Sequence, residues 1–376
     1  MVLASSTAAI ERFEMRPLLG SALPDVARFL HRWHASGEPG PSLPLPVRDD
    51  SLSTERRLQW LLLENPLTRG ADQHGLCIRN ASGALVGVLL SFPASFLGGD
   101  ERLLGLGSGS FFVEPRARAA GFFLFKRYLG RPGYAFFFST TCNANSSALW
   151  KALGASAAPH SDTEYMLPLR LEVMLPAFLT KRTSSPRAAA IARVFGRCAD
   201  PVRQLLTRKS GELTLEPCGD WEKLAGLFRR HRPAQWITTD RSAPYLRWRY
   251  GPNSHNHPFE ICVFRDKRGN EGWFSLGHII RGRHGQIRGC VLLDAVWPRE
   301  KIGFREILAA ILQLVASKAD AVFFQPRPGV DHAEYSRWII PCRLEAPKIF
   351  AITRKGGAPL AVSSLDLVPA DGDGAF

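Results

Sequence analysis

Residues 103–123 read Leu103-Leu104-Gly105-Leu106-Gly107-Ser108-Gly109-Ser110-Phe111-Phe112-Val113-Glu114-Pro115-Arg116-Ala117-Arg118-Ala119-Ala120-Gly121-Phe122-Phe123. A strand and a helix meet in this stretch. Leu103–Val113 is apolar and β-prone, Pro115 stops it, and Ala119–Leu129 continues with helix formers. Gly105, Gly107 and Gly109 alternate, so they share one face of the strand. They either open a slot on that face or relieve crowding beneath a helix. The helix start presents unsatisfied N–H groups and the positive end of a dipole, a natural place for a phosphate. Gly121 would let the backbone come close to such a group, with Arg116 and Arg118 adding charge.

Working outward, Phe13–Leu18 reads as a strand. Asp25–His34 and Leu52–Glu64 read as helices, and Gly75–Arg79 with Leu85–Phe92 as a hairpin. After the helix 119–129 come a strand over Tyr134–Thr140, a helix over Ser146–Leu153 and a closing strand over Glu164–Leu169. The same order recurs downstream: strand 212–215, helices 221–231 and 243–250, hairpin 259–264 and 273–280, strand 291–296, helix 303–318, and strands 321–325 and 348–352. Short matches recur in order at offsets of 183 to 188. They are Leu58-Gln59-Trp60 with Leu246-Arg247-Trp248, Leu76-Cys77-Ile78 with Ile261-Cys262-Val263, Val113–Arg116 with Val296–Arg299, Ala135–Phe138 with Ala321–Phe324, and Trp150 with Trp338. The expected architecture is a mixed, mostly antiparallel α/β sheet flanked by helices, twice in tandem. The first module takes residues 1–169, a basic bridge 170–210, the second module 211–355, and a disordered tail 356–376. Pro/Gly-rich Ser36–Asp50 is expected to be a mobile loop.

The order of elements resembles the GNAT superfamily of acyl-CoA N-acyltransferases. The residues carrying the resemblance are Val113-Glu114-Pro115, similar to the exit of that fold's fourth strand, and Arg116–Phe123, similar to its pyrophosphate loop. Asn143, seven residues before Trp150 and eleven before Gly154, is similar to the spacing around the family's last helix. The resemblance implies acetyl-CoA as acyl donor, held by Phe112, Val113, Arg116, Arg118, Ala119, Ala120, Gly121, Phe122, Phe123 and Asn143. It also implies a pantetheine path where strands four and five splay, and N–H groups of strand four directed at the thioester oxygen. Phe123 stands where a small residue is usual. Trp150 replaces the frequent tyrosine acid, and an indole cannot supply that proton. Tyr128, Tyr134 or Cys142 are the substitutes, and Glu114 is the candidate base, ahead of Glu101 and Asp100. Trp60, Trp248 and Gly105, Gly107 and Gly109 are read as lining the acceptor cleft. For Leu246, Trp248 and Tyr250 the other reading is packing. In the second module Glu300 stands near the corresponding loop, so no CoA is expected there.

Composition bounds the rest. The 376 residues are 45% hydrophobic and 22% charged, which excludes collagen-like and wholly disordered chains. Seven cysteines without C-x-x-C, and histidines His31, His34, His255 and His257 without partners at ligand spacing, point to neither zinc nor disulfides. The start lacks a secretory pattern and no apolar run spans a bilayer, so the expected location is cytoplasmic, with peripheral membrane contact as an option. Formal net charge is +14, unevenly spread: residues 170–209 hold 9 basic and 2 acidic side chains, a net of +7. There Ile191, Val194, Phe195, Cys198, Val202, Leu205 and Leu206 fall on one helix face, with Pro201 expected to kink or split it. That stripe either docks on a module, or the basic segment 181–209 (Lys181, Arg182, Arg187, Arg193, Arg197, Arg203, Arg208) meets an anionic macromolecule or membrane. The function expected is acetyl transfer from acetyl-CoA to an amine of a small molecule, glycan or peptide. The alternatives are an aminoacyl-tRNA-dependent transferase and a non-catalytic ligand-binding protein on the same frame.

Overall fold

The structure, a computed structural model, describes residues 12–35, 51–69, 73–182, 185–207, 213–255, 258–281, 287–330, 339–354 and 361–372. The expected loop 36–50 and the Trp338 match lie outside these residues.

The first half runs β1 (Phe13–Pro17), α1 (Leu23–Ala35), α2 (Ser51–Leu62), β2 (Gly75–Asn80), β3 (Leu85–Gly98) and β4 (Glu101–Val113). It continues with α3 (Arg118–Leu129), β5 (Phe136–Ser139), α4 (Ala144–Ala152), β6 (Ser156–Ala157) and β7 (Thr163–Pro168). Helices α5 (Leu171–Arg182) and α6 (Pro186–Thr207) form a hairpin in the middle of the chain. The second half runs β8 (Thr214–Pro217), α7 (Trp221–His231), β9 (Ile237–Thr239), α8 (Ala243–Tyr250), β10 (Glu260–Arg265), β11 (Glu271–Arg281) and β12 (Ile287–Val296). Then follow α9 (Phe304–Val315), β13 (Ala321–Phe324), β14 (Ile340–Arg343), β15 (Phe350–Thr353) and β16 (Leu365–Asp366).

Two mixed sheets result. One is ordered β1-β2-β3-β4-β5-β15-β6, the other β8-β10-β11-β12-β13-β7-β14. Along these two paths every pairing is antiparallel except one parallel step, β4–β5 or β12–β13, and each path carries a bulge in the strand before that step; the first sheet also takes in β9 and β16, which pair parallel with each other. The orders correspond position for position, including an exchange. Strand β7, read from sequence as closing the first module, pairs antiparallel with β13 of the second sheet; β15, read as completing the second, pairs with β5 of the first. Neither sheet is therefore made from one half of the chain. The cause is burial on both faces. Phe350 of β15 packs among Phe125, Trp150 and Phe137 while Ala351 faces the α1–α2 layer, so β15 needs a central place with two neighbours.

The halves are further joined at Trp60 and Trp248, which stack with centroids 5.0 Å apart. Each indole N–H donates to the other's backbone carbonyl at 2.9 Å, and the Arg249 guanidinium lies 5.1 Å from the Trp60 ring. These residues hold the halves together; the acceptor-wall reading of Trp60 and Trp248 gives way to packing.

The expected disordered tail is also corrected over 361–372. There β16 pairs with β9, which in turn pairs with β3. Leu365, Asp366, Val368, Ala370 and Asp371 are buried. Gly372 presses on Thr140, just past the end of β5, so closely that a Cβ would overlap it.

Candidate active site

Strand β4 pairs with β3 over its whole length but with β5 only from Gly105 to Gly107. Over residues 108–113 no strand among the described residues pairs with β4 on the β5 side, so β4 and β5 splay apart beyond Gly107. Within this reach β4 gains one residue against Val88–Leu90 of β3. Ser110 takes up the extra length with φ of 44°, a left-handed conformation uncommon outside glycine. The bulge bends β4 where it splays from β5.

Helix α3 begins four residues beyond. Glu114 N–H donates to Val86 O, a short turn covers Pro115–Ala117, and Ala117 sits at the N-cap with no side-chain bond. The first turn holds no acidic residue, and Arg118 and Ala119 are exposed. The Ala117 and Arg118 N–H groups donate to Glu114 O and Pro115 O, which leaves small side chains at Ala119 and Ala120 and the dipole's positive end, with Arg116 and Arg118 beside it. This chemistry fits the pyrophosphate of coenzyme A. Gly121 serves differently from the expectation: a Cβ there would lie 3.0 Å from Val113 Cγ2, so its glycine presses α3 onto β4. Phe122 and Phe123, 39% and 57% exposed, meet edge to face at 5.8 Å beside this helix start.

Other expected site residues are placed elsewhere. Added Cβ atoms at Gly105 and Gly107 would lie 2.8 Å from Phe96 and 2.5 Å from Phe92. Four phenylalanines (Phe92, Phe96, Phe136 and Phe138) fill the face that was read as a slot, and the crowding explanation holds there. Gly109 is buried in β4 opposite Leu90, Phe112 packs against the α1–α2 core, and Val113 packs under α3. Tyr128 is fully buried and donates to Leu106 O at 2.6 Å, and burial pushes its pKa well up. It is a core hydroxyl rather than a proton donor facing a cleft. Trp150 meets Phe125 edge-on at 4.9 Å and stacks with Phe350. Asn143 caps α4: its Oδ1 accepts from Ser146 N–H at 3.0 Å while its own N–H donates to Ser146 Oγ. Glu114 accepts from Arg116 Nε at 2.8 Å at the end of β4. Phe112 to Phe123 therefore form one continuous strand–turn–helix stretch, part of it packed inward, with Asn143 beyond the end of β5.

The corresponding place in the second sheet is closed. At the start of α9, Gly303 N–H donates to Glu306 Oε1 at 3.3 Å and Glu306 N–H to Gly303 O at 3.0 Å, so this helix caps itself. The sequence reading put Glu300 in that role; Glu306 performs it. Along β12 beyond its pairing with β13, Asp294 is bound by Arg241 Nε at 2.8 Å and Arg327 at 3.4 Å. Arg241 also reaches Asp371 at 2.9 Å, and Arg327 and Arg299 reach Asp366 at 3.1 and 3.2 Å. Burial opposes charge on Asp294, and the two guanidiniums overcome it, leaving its pKa lowered; burial raises Asp371 despite Arg241. Only the lone acid in the apolar run Cys290–Val296 hinted at this network. Among the described residues no group of His, Cys, Asp and Glu could hold a metal ion.

No protein-family model matches the sequence, and no curated protein matches it. Solved structures do. A probable N-acyltransferase of Enterococcus faecalis V583 is 11% identical with a TM-score of 0.55 over 92% of this chain and 73% of its own. A GCN5-related N-acetyltransferase from Kribbella flavida is 14% identical with a TM-score of 0.52 over 92% and 72%. Saccharomyces cerevisiae N-myristoyltransferase, solved with bound myristoyl-CoA, is 12% identical with a TM-score of 0.50 over 86% and 75%. At these identities the likeness is one of architecture, and it extends over both sheets: the chain has the fold of the GNAT acyltransferases.

Proposed function

We propose that the protein is an acyl-CoA-dependent N-acyltransferase, with acetyl-CoA as donor and an amine as acceptor. The observation that carries this reading is the splay of β4 from β5 beyond Gly107, followed by an α3 with no side-chain cap and no acid in its first turn. When bound, the donor supplies an activated thioester carbonyl. The chain's own part is to hold and orient it. The start of α3 at Ala119 and Ala120, with Arg116 and Arg118, would bind the pyrophosphate, and the acyl-pantetheine arm would lie where β4 splays from β5 beyond Gly107. Positioning of this kind is a large part of what a transfer between two bound partners needs. Tyr128 and Trp150 are core residues, so neither protonates the leaving thiolate. Glu114 is the carboxylate nearest the splayed end of β4 in sequence and is assigned the amine proton. The acceptor amine is a small molecule, glycan or peptide. A thermal-shift titration tests the reading: acetyl-CoA should raise the melting temperature in a saturable way. No shift with acetyl-CoA or CoA would remove it and leave the non-catalytic frame.

A further inference from the structure

Helix α6 shows large apolar side chains to solvent. Ile191, Val194 and Phe195 are 70%, 66% and 67% exposed, and Cys198 is exposed too. The spacing of three, one and three places all four on one face. The opposite face makes the contact with α5. Ala192 is buried, and a Cβ on Gly196 would lie 2.5 Å from the Leu171 carbonyl carbon, so small residues let α6 lie directly on the start of α5. Over residues 191–198 the expectation that the apolar stripe docks on a module is thus reversed: the small side packs inward and the large side faces out. Burying one such side chain is worth about 1.5–3 kcal/mol, so three left out on one face call for a surface to cover them.

The surrounding charge says which surface. Residues 170–209 carry 9 basic and 2 acidic side chains, and both acids are consumed inside the hairpin. Glu172 pairs with Arg170 and with Arg197 at 3.2 Å. Asp200 accepts from the N–H groups of Leu171 and Glu172 at 2.9 and 3.3 Å, capping α5. Arg187 and Arg193 are exposed. Helix α6 has 22 residues, about 33 Å at 1.5 Å per residue, and runs on through Pro201 without splitting. No helix among the described residues is long and apolar enough to cross a membrane. An apolar stripe on a basic helix fixed to a folded body suits the plane of an anionic bilayer, with the side chains in the acyl boundary and the arginines at the phosphates.

We propose that α6 is an in-plane docking helix for anionic membrane surfaces, with Ile191, Val194 and Phe195 as the inserted side chains. This rests on the hairpin alone and is independent of the donor-site reading. The experiment is co-sedimentation of the full chain with vesicles of phosphatidylcholine, with and without 30% phosphatidylglycerol. The wild type should bind the anionic vesicles at least tenfold more tightly than the neutral ones and lose most of that binding at high salt. The Ile191→Ser/Val194→Ser/Phe195→Ser variant, whose changes all lie on exposed positions, should lose at least tenfold. Arg187→Gln/Arg193→Gln should lose less and flatten the salt dependence. Equal binding by wild type and the triple serine variant would overturn the proposal. So would absence of binding to either vesicle, including the case where the triple variant instead abolishes self-association, which would assign the face to a second copy.

Discussion

The two sheets use one strand order, yet the two helices that follow their bulged strands begin differently. Helix α3, N-capped at Ala117, has no capping side chain, no acid in its first turn and an exposed Ala119. Helix α9 starts at Gly303, and its own Glu306 carboxylate occupies an amide an anion would use. The strand edges differ in the same sense. Among the described residues β5 does not pair with β4 beyond Gly107, whereas Asp294 on β12 is locked into arginines and bonded through Arg241 to Asp371. One architecture thus gives a helix start without a side-chain cap in the first half and one capped by its own Glu306 in the second, through a handful of side chains.

The largest effect should come from breaking the closed half. Arg241→Ala leaves Asp294 and Asp371 buried without their shared cation, which should cost about 3–5 kcal/mol in urea unfolding. CoA affinity of the folded protein should not change. A related pH effect has a fixed sign. The pKa of Asp294 is lowered on folding, so the stability it contributes is present above its unfolded value and lost as pH falls through its folded one. Asp294→Asn should therefore destabilise at pH 7 and converge with wild type in acid.

Next is the glycine face of β4. Gly107→Ala should cost about 1–3 kcal/mol by pushing on Phe92 and Phe138, with donor affinity kept. If stability held and CoA binding fell, the glycines would line a slot after all. The smallest effect belongs to α9: Glu306→Gln should remove about 0.5–1 kcal/mol of capping and leave CoA binding as it was. A second CoA site appearing in that variant would mean that this carboxylate alone distinguishes the halves.

Local features were legible in the sequence. The strand at 103–113, the Val113–Arg116 turn and the helix behind it are set by neighbouring residues, and they stand where the pattern put them. The order of the longer elements in both halves was legible for the same reason, while the short strands β6, β9, β14 and β16 were not. The exchange of β7 and β15 was not, because both are short apolar strands whose partners lie far along the chain, and apolarity does not say which sheet is short of a strand. The segment 361–372 reads as small and acidic, but its acids are buried because Arg241, Arg299 and Arg327 await them. Alternating glycines mark a tight place without saying whether a ligand or Phe92 and Phe96 fill it. Tyr128 and Asn143 were read by residue type, and only the packing shows one in the core and the other capping α4.

The central claim is that the start of α3 holds the donor's phosphates, and titration calorimetry of CoA into the wild type and Ala119→Glu tests it most directly. The account predicts one saturable site per chain in the wild type. The glutamate should weaken it at least tenfold, about 1.4 kcal/mol, while its negative charge at the helix start leaves stability equal or raised by about 0.3–1 kcal/mol. CoA binding of equal strength in the two proteins, or none in the wild type, would contradict it.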